Sequence, residues 1–222
     1  MTDRYVFGDE AGTPRFHPKD SRYFILTTVT LPDCSGDALL DLRRKLAWEG
    51  VDTHYAFHAT EEQQLVRDRV FDVISGLNLS VDATIFEKRK VVPRNRTSEA
   101  YFYQFAWFYH LKYLCEYKLT HPDIRLLVVT ATIGERKSRQ QAFANAVRSV
   151  VAQVARVKEA QCAFWMGRSD PCLWLADYCS WALQRKWEHP GQPQPDLRSY
   201  ELIKAKVRSE FNIFASGTTL HY

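Results

Sequence analysis

The stretch PCLWLADYCSWALQR, residues 171–185, limits what this chain can fold into more than any other part of it. Pro171 suits a first helical turn, where its missing N–H costs no hydrogen bond. Asp170, just before it, supplies a capping carboxylate. From there Leu173, Trp174, Leu175, Cys179, Trp181 and Ala182 set apolar groups nearly all the way round. A helix with so little polar face must be buried over most of its circumference. The fold therefore needs a broad layer to cover it, and a β-sheet is such a layer.

Asp177 breaks that apolar surface. At helical spacing its neighbours are Leu173, Trp174 and Trp181. A carboxylate buried there costs several kcal/mol, roughly, unless something compensates it. An arginine or lysine, a set of hydrogen bonds, protonation, or a metal ion would each do so. A second pair of acids closes the run YVFGDEAGTP at residues 5–14. Residues 4–10 alternate as a strand, with Tyr5, Phe7 and Asp9 on one face and Val6, Gly8 and Glu10 on the other. Gly12 and Pro14 end it. Asp9 on an early strand and Asp177 on a late helix are thus candidates to meet across the sheet.

The remaining periodicities predict strands over 22–31, 79–87, 124–133 and 161–166. The run IRLLVVTATI at 124–133 has few polar groups, as in a central strand covered on both faces. Helices are predicted over 36–48, from the Thr60/Gln63 capping-box pattern to Gly76, over 98–118 with Thr97 as its cap, and over 137–157, 171–188 and 197–211. Strands come first and then alternate with helices. That order predicts an α/β fold, a mixed sheet flanked by helices on both faces. Without an evident linker or repeat, residues 1–222 read as one domain.

The net charge of +4 and pI near 8.8 permit a nucleic-acid partner without demanding one. The basic clusters are Lys88-Arg89-Lys90 with Arg94 and Arg96, and Arg136-Lys137 with Arg139. Five cysteines, an odd number with no CxxC pair, argue against a disulfide framework or a zinc ribbon. Asp3 and Arg4 precede any apolar run, and the most apolar stretch is too short to span a bilayer. The expectation is a cytoplasmic protein. No GxGxxG, Walker A or GxSxG pattern occurs, so nucleotide-cofactor and α/β-hydrolase chemistry lack support. His54 and His58 lie in a stretch read as extended, which sets them too far apart for one zinc ion.

Four motifs in order, YVFGDEAGTP, FHAT before a helix, IFEKRKV and LWLADYCSWALQR, resemble a bacterial family known as domain of unknown function 3800. The resemblance covers about residues 5–186. That family typically carries a D-E-S/A-G strand motif and a late L-Q-x-A-D helix, and it is similar to the RNase H-like superfamily in fold. The resemblance implies an RNase H-like mixed sheet and a metal-dependent nuclease, or a related phosphoryl-transfer enzyme, acting on nucleic acid. It matches Asp9 to the first acid and Asp177 to the last, as ligands of Mg²⁺ or Mn²⁺. Glu10 or Glu135 then stands as a third candidate, Lys88 as the phosphate-neutralising cation, and His58 as a lining residue of the cleft. Two departures stand out. Trp174 replaces a common Gln, and the central strand, VVTATIGE, has no acid before Glu135. The missing acid leaves a second expectation, a non-catalytic binding or regulatory module of the kind found in phage-defence or mobile-element systems.

Overall fold

The computed structural model describes residues 2–33, 36–131, 137–188 and 196–217. Its strands are β1 (Thr2–Ala11), β2 (Tyr23–Leu31), β3 (Ser80–Glu87), β4 (Ile124–Ala131), β5 (Glu159–Trp165) and β6 (Val207–Asn212). Its helices are α1 (Asp37–Trp48), α2 (Gln64–Gly76), α3 (Glu99–Tyr117), α4 (Lys137–Gln153), α5 (Pro171–Trp187) and α6 (Arg198–Ile203). The strands form one six-stranded mixed sheet in the order β5-β4-β1-β2-β3-β6. β2 runs antiparallel to both β1 and β3, while β4 is parallel to β1 and β5, and β6 is parallel to β3.

Alternation along the strands divides the core in two. Phe7, Ile25, Val29, Val81, Ile85 and Val129 face a layer built from α1, α2, α5 and α6. Val6, Phe24, Leu26, Phe86 and Val128 face α3 and α4. Each fully buried large apolar side chain contributes about 1.5–3 kcal/mol. As expected, β4 is covered on both faces. Asp170 caps α5, accepting the Cys172 N–H at 2.7 Å.

Three local expectations fail. Thr60 does not cap a helix; its hydroxyl pairs with His58 Nδ1 at 2.8 Å, and α2 begins at Gln64. Ser98 rather than Thr97 bounds α3, accepting the Tyr101 N–H at 3.1 Å. The helix expected over 197–211 stops at Ile203, and the chain turns into β6. Here tertiary pairing overrides local propensity. Asp82 is fully buried on β3 and takes two bonds at 3.1 Å from Arg208 Nε and one at 2.6 Å from the Ser209 hydroxyl. Only an extended segment beside β3 brings those donors to it.

Two features of the α3 face are sharply constrained. Gly8 lies under the indole of Trp107, and any Cβ at that position would overlap Trp107 Cη2. His110 is wholly buried, with Nε2 2.8 Å from the Thr28 hydroxyl and Nδ1 2.8 Å from the Thr84 hydroxyl. Either hydroxyl can donate or accept, so it is burial away from water that favours the neutral ring. Burial lowers its pKa from 6.5 to about 4.

Gly8→Ala should destabilise the fold by about 1–3 kcal/mol, read from urea unfolding, because Trp107 has no room to retreat. For His110 the folded pKa lies below the unfolded value. Its contribution is therefore complete above pH 6.5 and lost as pH falls toward about 4. Over that window wild type should lose up to about 3 kcal/mol relative to His110→Gln, which cannot titrate. Parallel stability–pH curves for the two proteins would show that the ring is not held neutral.

Candidate functional site

β1 delivers Asp9 to the α5 side of the sheet, the same side as Phe7 and Ala11. The strand then ends at Gly12, whose φ of 82° and crowding against the Tyr23 carbonyl exclude a side chain. α5 crosses β1 and β2 and delivers Asp177 from above. Both carboxylates open onto a cleft of about 540 Å³, walled by Trp174 and Trp181 on α5 and by His58 and Glu61 in the segment before α2.

Asp177 is held from the side. Its Oδ2 accepts the Ala59 N–H at 2.7 Å, and His58 Nε2 lies 3.7 Å from Oδ1. The Thr60 hydroxyl donates to His58 Nδ1 if the ring proton is assigned to Nε2, the tautomer that suits a facing carboxylate. Burial raises the Asp177 pKa; the Ala59 N–H and His58 oppose that rise, and Glu61 adds to it. Among the described residues no arginine or lysine acts on it.

Asp9 has weaker support. Burial first, then the charge of Asp177 and then that of Glu10 push its carboxyl well above the ordinary range. The Glu10 backbone N–H and the Ser180 side chain only partly offset them. Ser180, one turn beyond Asp177, is buried and its hydroxyl completes no hydrogen bond. Two acids share the cleft, and burial opposes the ionisation of both, with the charge of Asp177 adding to the cost at Asp9. Of the compensators open to Asp177 from sequence, hydrogen bonding is the one the fold supplies.

The other expected residues are distributed differently. Because β1 stays regular to Ala11, Glu10 points to the opposite face. There its Oε2 accepts the Tyr103 hydroxyl at 3.1 Å, and its Oε1 lies 4.0 Å from Arg139. Burial raises its pKa to about 7 against the pull of Arg139 and Tyr103. Lys88 is buried at the turn after β3 and donates to the carbonyls of Thr13 at 3.2 Å and Arg15 at 2.9 Å. It ties down the loop that follows Asp9 and does not line the cleft. Glu135 lies outside the described residues. At the end of β4, Ala131 lines the cleft wall. Arg168, on the rim, lines the cleft too and pairs with Glu61 at 3.1 Å. Sequence reasoning missed Arg168, although it sits only two residues before the Asp170 cap.

Among the described residues no group of three or more His, Cys, Asp or Glu side chains is arranged to hold a metal ion. Two carboxylates are still a normal protein share for Mg²⁺, which keeps waters and substrate phosphates for its other positions. The fit rests on charge. Asp9 and Asp177 place two acids in one cleft, with Asp9 unable to ionise easily beside its neighbour. No family model matches this chain, and no curated protein matches it by sequence. Among the described residues no helix is long and apolar enough to cross a membrane.

Asp9→Asn should stabilise the metal-free protein, since it removes the repulsion and keeps the volume. The expected gain is about 1 kcal/mol, or about 2–4 °C in the melting midpoint in EDTA. A lower midpoint would mean that the carboxylate serves the fold.

Proposed function

We propose that this chain is an RNase H-like, metal-dependent nuclease or a close phosphoryl-transfer relative, with its reaction centre at Asp9 and Asp177. The observation that carries this reading is the convergence of those two acids on one cleft with no arginine or lysine among the described residues acting on the later one. The strand order supports it: β3-β2-β1-β4-β5 with only β2 reversed places the end of the central strand beneath a late helix. The ordered resemblance of the four sequence motifs to domain of unknown function 3800 supports it as well.

When bound, Mg²⁺ or Mn²⁺ supplies neutralisation of phosphate charge and a lowered pKa for water. The chain's own residues do the rest. Asp9 and Asp177 hold the cation, and the Ala59 N–H fixes which oxygen of Asp177 faces inward. His58, half exposed beside Asp177, is placed to give or take a proton at Nε2 near the reacting phosphate. Arg168 takes the phosphate-binding part expected of Lys88. Its exposed pairing with Glu61 is weak and yields readily to a phosphodiester. Lys88 keeps the loop behind Asp9 in place.

One observation favours a second reading, a non-catalytic nucleic-acid-binding or regulatory module. Ala131 stands at the end of β4 on the cleft wall, where many RNase H-like enzymes carry another acid.

Single- and double-stranded DNA and RNA should be incubated with the protein in Mn²⁺, Mg²⁺ or EDTA. Cleavage is expected only with metal, and Asp9→Asn and Asp177→Asn should each reduce it at least about 100-fold with the fold retained. Cleavage that survives both substitutions removes the proposal. Binding of nucleic acid without cleavage, together with no metal-induced rise in melting midpoint, selects the binding module.

A further inference from the structure

A second pocket, of about 380 Å³, lies at the other end of the sheet. It opens where β1 and β4 begin and β2 ends. Counting five residues from Arg4 to Asp9 at ~3.3 Å each, it is about 17 Å from the carboxylate cleft along β1. Arg4, Lys118, Arg208, His121, Thr30 and Ser80 are among its lining residues, and no acidic side chain is among the described ones. The two ends of the sheet thus carry opposite electrostatic character.

The cations differ in how far they are already engaged. Arg4 donates through Nη1 to the Asp3 carbonyl at 2.9 Å and has no carboxylate partner among the described ion pairs. Lys118 rests its ammonium 5.7 Å from the centre of the Tyr113 ring, which leaves the charge uncancelled. Arg208 spends Nε and Nη2 on buried Asp82, an arrangement that fixes the guanidinium and leaves Nη1 for a ligand. His121 accepts the Asp123 N–H on Nδ1 at 3.2 Å, which puts its proton on Nε2 as a further donor; the Asp123 carboxylate lies 3.9 Å away. Thr30 is only 7% exposed, and its hydroxyl has no hydrogen-bond partner. A buried unpaired hydroxyl is costly unless a ligand or water completes it.

We infer that this pocket binds a phosphate group, held by Arg4, Lys118 and Arg208 with the Thr30 hydroxyl at its floor. A tetrahedral dianion matches donors that line one pocket from the start of β1, the end of β2, the start of β6 and the C-terminus of α3. A carboxylate could use the same cations, but it brings one negative charge to three cationic side chains where a phosphate dianion brings two. The phosphate comes either from a small phosphate ester or from the backbone of a nucleic acid lying along the molecule. The inference does not depend on catalysis at Asp9 and Asp177.

The test is the melting midpoint in EDTA with inorganic phosphate against chloride at equal ionic strength. Wild type and Asp9→Asn should both gain about 2–4 °C once phosphate is well above its dissociation constant. Arg4→Gln/Lys118→Gln should lose that gain. If the double variant fails to fold, Lys118→Gln alone should lower the phosphate affinity by about tenfold, since its ammonium makes no ion pair among the described residues. An absent shift in wild type, or an unchanged one in the variants, overturns the inference. A labelled 20-nucleotide DNA strand separates the sources. Weaker DNA binding in the variants assigns the pocket to a nucleic-acid backbone. Unchanged DNA binding with lost phosphate binding assigns it to a small phosphate ester.

Discussion

The packing of α5 across β1 and β2 is the contact on which both the fold and the candidate site depend. Leu175, Ala176, Cys179 and Ala182 are fully buried there, and they hold the helix at one height above the sheet. That height sets how close Asp177 comes to Asp9. The apolar faces favour a closer approach, while the two carboxylates resist it. Apolar burial wins because a handful of buried side chains, at about 1.5–3 kcal/mol each, outweighs one strained pair of acids. The strain appears as a carboxyl on Asp9 that resists ionisation rather than as a displaced helix.

The opposite face of β1 supplies the counterpart. Gly8 lets Trp107 lie flat on the strand, and Glu10 enters a buried polar group with Tyr103 and Arg139. One strand therefore sends adjacent acids to different environments. Asp9 meets a like charge and an open cleft, whereas Glu10 meets a hydroxyl and a guanidinium. The period of two in a strand is enough to give neighbouring carboxylates separate tasks.

Much of this was legible in the sequence, for physical reasons specific to each element. The α5 burial followed from its lack of a polar face, and Asp170 followed from the Asp-Pro start. The two-sided burial of β4 followed from its unbroken apolar run. What escaped was long-range. The sequence 197–211 has adequate helix formers, and nothing local announces that buried Asp82 requires Arg208 and Ser209 in an extended edge strand. Lys88 sits in a basic run that suggests a solvated or phosphate-facing cation. Its burial against the Thr13 and Arg15 carbonyls depends on where the β1–β2 loop returns. Thr60 illustrates the same limit, because its hydroxyl serves His58 rather than a helix end.

The treatment of charge at the two ends of the sheet also separates structural from unspent groups. Asp82 and Glu210 are matched by named cations within hydrogen-bonding distance, Arg208 for one and Lys186 for the other. Asp3 pairs with Arg125 and Glu87 with Arg22. Against these pairs, no lysine or arginine among the described residues acts on Asp9 or Asp177. The hydrogen bond from the Ala59 N–H and the His58 ring 3.7 Å away orient Asp177 without supplying a permanent cation. The distinction between oriented and neutralised is the one that matters here. Orientation without neutralisation is what a cation-binding pair requires, since a resident arginine would occupy the position the ion must take.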